Sequence, residues 1–344
     1  MRGDGDGWTR CAAGHRHWGL YGAAGLLLRD RDQDLDRDQD RAGDHRRDHD
    51  SDRDHGPDHR PDHGVDHRPD HDVDHDVDHD VDHDVDRVVL QHRAWWSHQG
   101  GTWGVPGGAR DSDETAVAAA LRESAEEANL TPAAIRPYAE LIDDHGGWSY
   151  TTVLARPVAP VDPEPIGGES EDVRWVDVAD VDTLPLHPGF AAAWPRLREA
   201  PPPLRIVVDA ANVVGARGRG DGWWRDRAGA AARLLDALVP VQQDGLAPVD
   251  LPPGVDAGRL DRLLPHVVVV VEGAARAVLD SGGRWPLELV AAPGSGDDAL
   301  VEVAADGGDQ VVVVTADRGL RARLDAVGAG WVGPSWLLRL VDRT

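Results

Sequence analysis

Three carboxylates lie close together at Glu123, Glu126 and Glu127, directly after Arg122. On a helix, residues three and four apart are neighbours, so these side chains crowd one face. They repel one another unless a cation joins them. Hard oxygen ligands that leave waters in place suit Mg²⁺, with Mn²⁺ as the alternative ion, bound together with substrate phosphates. A solvated acidic helix face is the plain alternative. Upstream, Pro106-Gly107-Gly108 is a turn where missing side chains let backbone approach a ligand, so Gly107 and Gly108 are candidate substrate-binding positions. A second carboxylate set stands far downstream, in Asp209 with Asn212, the pair Asp297-Asp298, and Asp317.

The element that must position the first set is a helix. Residues 115–128 are rich in Ala, Leu and Glu, which favour helix. Asp111, three residues before Glu114, is placed to cap it in a capping-box arrangement. At about 100° per residue, Val117, Leu121 and Ala128 share an apolar face opposite the glutamates. Arg122 reaches Glu126 at i+4 and can orient it. Ala116, Ala119 and Ala120 leave room for something to dock beside the carboxylates.

At fixed spacing, Gly108, Glu114, Arg122, Glu123, Glu126, Glu127 and Leu130 resemble the Nudix box, G-x5-E-x7-R-E-U-x-E-E-x-G-U with U aliphatic. Two positions depart. Ser124 stands where an aliphatic residue is usual, and Asn129 replaces the last Gly; Asn is the next-best residue for a left-handed turn. The resemblance implies an α+β Nudix domain, an α/β/α sandwich. It implies a Mg²⁺-dependent pyrophosphohydrolase that cleaves a nucleoside diphosphate linked to another moiety. Glu123, Glu126 and Glu127 would hold the metal, Arg122 would orient a carboxylate, and one of Glu123, Glu127, Glu169 or Glu171 would act as base. Glu169 and Glu171 belong to a Gly-Gly-Glu-Ser-Glu loop that often supplies a ligand or base in relatives. Arg93 sits where relatives carry a phosphate- or base-contacting Arg. Trp95, Trp96 and Trp103 are candidates to stack a nucleobase, with core packing favoured for at least one of them. Oxidised dNTPs, ADP-ribose, dinucleoside polyphosphates and sugar nucleotides all remain open as substrates. A non-catalytic, nucleotide-sensing Nudix regulator is the alternative function, against which the intact glutamates argue.

The 344 residues suit about two domains. The net charge of −26 is uneven: residues 30–86 hold 23 Asp against 8 Arg. No basic patch stands out, which argues against charge-driven duplex DNA binding. From Asp54, His recurs every fourth residue through His83, in units that drift into Asp-His-Asp-Val. Such a tract cannot bury a core and reads as a disordered insert in a surface loop, with metal binding by its histidines as the alternative. Strands at 17–29 and 87–91 would pair across it; later strands are expected at 139–142, 150–155 and 173–178, and a helix at 188–197. Cys11 is the single cysteine, so no intrachain disulfide can form and a reducing, cytoplasmic compartment is the natural reading. No apolar run approaches the length of a membrane span. Cys11, His15 and His17 fall short of the usual structural zinc sets and are left unassigned.

The expected domains are an N-terminal segment and first strand at 1–29, the insert at 30–86, the rest of the Nudix domain at 87–199, a stiff Pro-rich linker at 200–203, and a second domain at 204–344. In the latter, short β-branched runs at 204–208, 267–271 and 310–315 suit a parallel sheet covered on both faces. Ligands bind at the carboxyl ends of such strands, where Asp209, Asp297-Asp298 and Asp317 could meet around Mg²⁺ or Mn²⁺. This set, with Asn212, resembles the PIN-like nucleases including the NYN group: D-x-x-N, G-D-D and T-x-D-R. The resemblance implies metal-dependent RNA cleavage, and Trp223 and Trp224 are candidate base-stacking residues. The sequence leaves the oligomeric state open.

Overall fold

The computed structural model describes residues 3–31, 86–217, 223–305 and 308–343. The His-repeat tract and its metal or disorder reading lie outside these. Strands β1 (Trp8–Arg10) and β2 (Arg16–Trp18) form a small antiparallel hairpin. Next come β3 (Ala23–Arg31), β4 (Asp86–Arg93), β5 (Trp103–Gly104), β6 (Gly107–Ala109), helix α1 (Ala116–Ala128), β7 (Ile135–Asp144), β8 (Ser149–Pro157), β9 (Ser170–Asp177) and helix α2 (Pro188–Arg198). β3 lies at the centre of a mixed sheet, parallel to β8 and antiparallel to β4 and β6.

Side chains alternate across β3. Leu26 and Leu28 pack against α1 through Ala119, Ala120 and Ala128. Leu27 faces the other way, into a core that contains Phe190, Trp194 and Leu197 of α2. A helix thus covers each face, the expected sandwich. The flanking strands reach further into the acidic tract than expected. Asp30, only 2% exposed, accepts from Arg87 at 2.7 Å, and Asp86 accepts from Arg29 at 2.6 Å. These cross-strand pairs hold the two ends of the tract together.

The second half contains β10 (Leu204–Asp209), α3 (Ala210–Arg217), α4 (Arg227–Gln243), β11 (Arg262–Leu263), β12 (His266–Val271), β13 (Glu288–Ala291), α5 (Gly296–Ala304), β14 (Gln310–Val314), α6 (Arg318–Ala326), β15 (Gly330–Val332) and α7 (Pro334–Val341). Five strands form a parallel sheet in the order β13-β12-β10-β14-β15. One face packs Ile206, Val208, Val267 and Val269 into the large core. The other packs Val207, Val268, Val270 and Val313 against α5 and α6. β13 and β15 escape a search for apolar runs because Glu288 and Gly330 interrupt them.

The stiff linker at 200–203 does not hold two separate bodies apart. β11, from the second half, pairs antiparallel with β7 of the first sheet. Asp309 joins Arg156 of β8 at 2.8 Å and Arg205 of β10 at 3.2 Å, with all three side chains largely buried. One hydrophobic core runs through both halves. Among the described residues no helix is long and apolar enough to cross a membrane.

Candidate active site

Thr115, not Asp111, caps α1: its hydroxyl accepts from Ala118 N at 3.1 Å. Asp111 is occupied one turn earlier, where its carboxylate accepts from Gly5 N at 2.9 Å. The face of α1 that meets the sheet includes the expected Val117, Leu121 and Ala128, the first two half-buried, and extends to the fully buried Ala119, Ala120 and Ser124. Ala119 and Ala120 are therefore sheet-packing residues and not docking room. Ser124 is fully buried, with its hydroxyl satisfied by Leu121 O at 3.0 Å. Asn129 ends the helix at φ 57°, the left-handed turn the usual glycine would make.

Arg122 is the organising cation. Its guanidinium donates to both oxygens of Glu114 at 2.8 and 2.9 Å, to Ala109 O at 3.0 Å, and to Glu123 Oε1 at 2.7 Å. Glu126, the partner expected from i+4 spacing, is 3.6 Å away and mostly exposed. Arg122 thus orients Glu123 and locks Glu114, a residue not assigned a site role from the sequence. The planar guanidinium supplies this fork geometry.

Glu127 points back to the glycine turn and accepts from Gly107 N at 3.1 Å. Burial pushes its carboxyl up to about 7; the Gly107 hydrogen bond and Arg93 oppose this, while the charges of Glu123 and Glu169 add to it. Burial also raises Glu123, against the pull of Arg122. Glu123, Glu127, Glu169 and Arg93 thus share one electrostatic neighbourhood. Glu171 does not join it in the same way: it faces His92 Nδ1 at 3.3 Å and accepts from Trp95 N at 3.2 Å. Tyr150, which sequence reasoning missed, sits in the same neighbourhood. Burial raises its phenol, Arg93 pulls the other way, and Glu127 and Glu123 add to the rise. No motif in the sequence singles it out: it stands among Ser149, Thr151 and Thr152 at the polar start of β8.

The two glycines have separate reasons. A Cβ on Gly107 would lie 2.4 Å from Ala24 O, so Gly107 permits the close β6–β3 pairing. A Cβ on Gly108 would lie 2.6 Å from the Glu123 carboxyl group. That group is the far end of a flexible side chain and can move aside. Gly108→Ala should therefore keep the fold, at a cost of about 1 kcal/mol, the centre of the range for single substitutions, yet displace Glu123. Turnover is expected to fall by one to two orders of magnitude, as a misplacement of about 1 Å does. Thermal melts and steady-state rates on the same preparation check both halves.

Trp103 is enclosed and not open to a nucleobase. It is 7% exposed, stacked on His92 at 4.9 Å and covered by Arg174 at 4.8 Å. Its place in a two-residue strand pairing with β4 explains the burial. Trp95 and Trp96, at 79% and 58% exposure, are the aromatic rings left open.

At the carboxyl edge of the parallel sheet, Asp209 ends β10, where it accepts from Asn212 N at 3.0 Å and Thr315 Oγ1 at 3.0 Å. Burial raises its carboxyl and the Asp297 charge adds to the rise. Burial and then Asp317 raise Asp297 itself. Asp298 turns away to Arg323 at 2.6 Å, so Asp297 is the member of the pair that faces the others. Asp317 also caps α6 through Leu320 N at 2.9 Å. Asn212 spends its side-chain oxygen on Ala316 N at 3.1 Å, which makes it a brace of the loop rather than a free ligand-binding group. Glu272, missed by the sequence reading, accepts from Gly296 N at 2.9 Å beside this cluster. Trp224 is 54% exposed, whereas the side chain of Trp223 lies outside the described residues.

Comparison with known proteins places this geometry in context. The NUDIX domain family model matches residues 77–197. A Mycobacterium tuberculosis protein named "Putative 8-oxo-dGTP diphosphatase 3" is 42% identical over 207 residues, covering 58% of this chain and 72% of that protein. A Bifidobacterium longum "Nucleoside triphosphate pyrophosphatase/Nudix hydrolase fusion protein" is 37% identical over 194 residues, covering 56% of this chain and 30% of its own length. The crystal structure of a Nudix hydrolase from M. smegmatis, RenU, is 36% identical and covers 57% of this chain and 94% of its own, with a TM-score of 0.40.

Proposed function

Since the chain belongs to the Nudix hydrolase family, which acts on phosphoanhydride bonds, we propose that it is a Mg²⁺-dependent pyrophosphohydrolase of nucleoside di- or triphosphate derivatives. An oxidised purine nucleoside triphosphate is the first substrate to test, on the strength of the similar protein named for 8-oxo-dGTP. The carrying observation is the shared electrostatic neighbourhood of Glu123, Glu127 and Glu169, in which burial, with the two neighbouring carboxylates adding to it, pushes the Glu127 carboxyl up to about 7. Like charges at this density fit a hard divalent cation, with Glu123, Glu126 and Glu127 as its holders. When bound, the ion would polarise phosphoryl oxygens and make an attached water more acidic.

The chain's own residues do the rest. Hydrolysis forms one P–O bond to water oxygen and breaks one P–O–P bridge, whose oxygen leaves with the departing phosphate. The water's proton needs an acceptor. Glu169, on the loop ahead of β9 and close enough to influence Glu127, takes that role; Glu171 is diverted to His92 and Trp95. Arg93 offsets phosphate charge, and Arg122 keeps Glu123 in register. Glu169→Gln is expected to lower kcat about 10²–10⁴-fold, the usual range for a general base. Glu171→Gln should stay within a few-fold of wild type; equal losses in both would remove Glu169 from this role. Phosphate and pyrophosphate release across a nucleotide panel with Mg²⁺ tests the reaction itself. Nucleotide binding without turnover would favour the regulator reading.

A second reading concerns residues 204–344 as a PIN-like unit that cleaves RNA with a divalent ion. Support comes from the mutual influence of Asp209, Asp297 and Asp317 at the sheet's carboxyl edge. Asp209→Asn should abolish metal-dependent RNA cleavage and leave nucleotide hydrolysis intact. Absence of cleavage by the wild type on structured and single-stranded RNA would remove this reading.

A further inference from the structure

The N-terminal hairpin brings together three residues that neither half's chemistry uses. Cys11 Sγ and one imidazole nitrogen each from His15 and His17 all lie within 4.8 Å of one another. Strand alternation explains the convergence. β1 and β2 pair Thr9 with His17 and Trp8 with Trp18, so successive residues point to opposite faces. Trp8, Arg16 and Trp18 take one face, where the two indoles meet edge-to-face at 5.6 Å and Arg16 lies over Trp8. His17 takes the other. The tight turn closes with Cys11 N donating to His15 O at 3.1 Å and Gly14 N donating to Cys11 O at 2.9 Å, which sets Cys11 and His15 beside each other.

The His17 environment points to a ligand. Its Nε2 is buried and meets no hydrogen-bond partner among the described residues. A buried polar atom is nearly always satisfied, so an orphan one asks for an explanation. The ring is stacked on Trp148 at 4.0 Å and held 4.7 Å from His145, which restricts its reorientation. Cys11 is buried and unpaired.

We propose that Cys11, His15 and His17 form a site for a borderline transition-metal ion, Zn²⁺ foremost, that is separate from the carboxylate centre. One thiolate and two imidazoles match zinc's preference for sulfur and nitrogen, and three protein ligands leave one tetrahedral position for water. Metal–ligand lengths of about 2.0–2.3 Å require ligand atoms roughly 3.3–3.6 Å apart, a closure of at most about 1.5 Å from separations that all lie within 4.8 Å. The site would stiffen a hairpin whose strands are too short to be stable alone. That stiffening reaches the loop before α1, because Asp4 accepts from Ser112 N at 2.9 Å and Asp111 accepts from Gly5 N at 2.9 Å.

Cobalt titration of the reduced, metal-free full-length chain tests the site. Cys11 is the chain's only cysteine, so a thiolate-to-cobalt charge-transfer band reports this site alone, whatever the His-rich tract or the carboxylates bind. The expected result is a band that saturates at one Co²⁺ per chain and is bleached by one equivalent of Zn²⁺. It should vanish in Cys11→Ser, and the apparent affinity should fall at least tenfold in His15→Ala. His15 is exposed, so the His15→Ala variant should keep its fold, which circular dichroism checks. No band at stoichiometric Co²⁺, or an undiminished band and affinity in His15→Ala and His17→Ala, overturns the site.

Discussion

Glu127→Gln is expected to lower turnover by three orders of magnitude or more while leaving the chain folded. Gln keeps the shape of Glu127 and can still accept from Gly107 N, but it removes the charge that a divalent ion would meet. The same variant carries a pH signature. In the metal-free fold Glu127 titrates near 7, above its ordinary 4.5. A raised carboxyl pKa means the fold holds a proton that the unfolded chain releases earlier. Its stabilising contribution is complete below about 4.5 and is lost as pH rises through about 7. Metal-free wild type should therefore lose stability relative to Glu127→Gln across that window. At about 1.4 kcal/mol per pKa unit the difference reaches a few kcal/mol. Mg²⁺ should reverse the sign above neutrality, because a cation favours the ionised form. Melting curves at acidic and alkaline pH, with and without Mg²⁺, give the comparison; a pH-independent difference between the two proteins would refute the assignment.

Arg122→Ala is the second large effect. It frees Glu114 and Glu123 together and leaves Ala109 O without this donor. Losing one partner of a partly buried charge network costs on the order of 1–3 kcal/mol, less than a fully buried pair because the guanidinium is about one-third exposed. The larger consequence is for rate: Glu123 loses the contact that fixes its carboxylate, and kcat is expected to fall about 10²-fold. Glu114→Gln should reproduce part of this loss, and the double variant should be much less than additive. Additive losses would show that Arg122 acts on Glu123 independently of Glu114.

The carboxylate helix could be read from the sequence because chemistry and spacing agree there. Fixed separations put Glu123, Glu126 and Glu127 on one helix side, and Asn129 could be recognised as a left-handed stop. The parallel strands were equally legible, since an unbroken valine run has few alternatives to a doubly covered sheet. What could not be read depended on partners distant in the chain. Nothing local says that Arg323 draws Asp298 aside and leaves Asp297 facing Asp317 and Asp209. Nothing near Trp103 announces that Arg174 and His92 will enclose it. The packing of β11 onto β7 also defeats a reading based on the Pro-rich segment, because the contact that joins the halves lies well beyond it. Cys11, His15 and His17 show the same limit: spacing alone fell short of a metal set, and the hairpin register brought them together.

The most direct test of the account is side-by-side assay of wild type and Glu126→Gln/Glu127→Gln for pyrophosphate release from 8-oxo-dGTP and dGTP, and for AMP and ribose 5-phosphate formation from ADP-ribose, with Mg²⁺ and with chelator. The account predicts Mg²⁺-dependent turnover of at least one nucleotide by wild type, abolished in the double variant while the fold is kept. Turnover that survives in the double variant, or wild type that binds nucleotide but hydrolyses none of the panel with Mg²⁺, would contradict it.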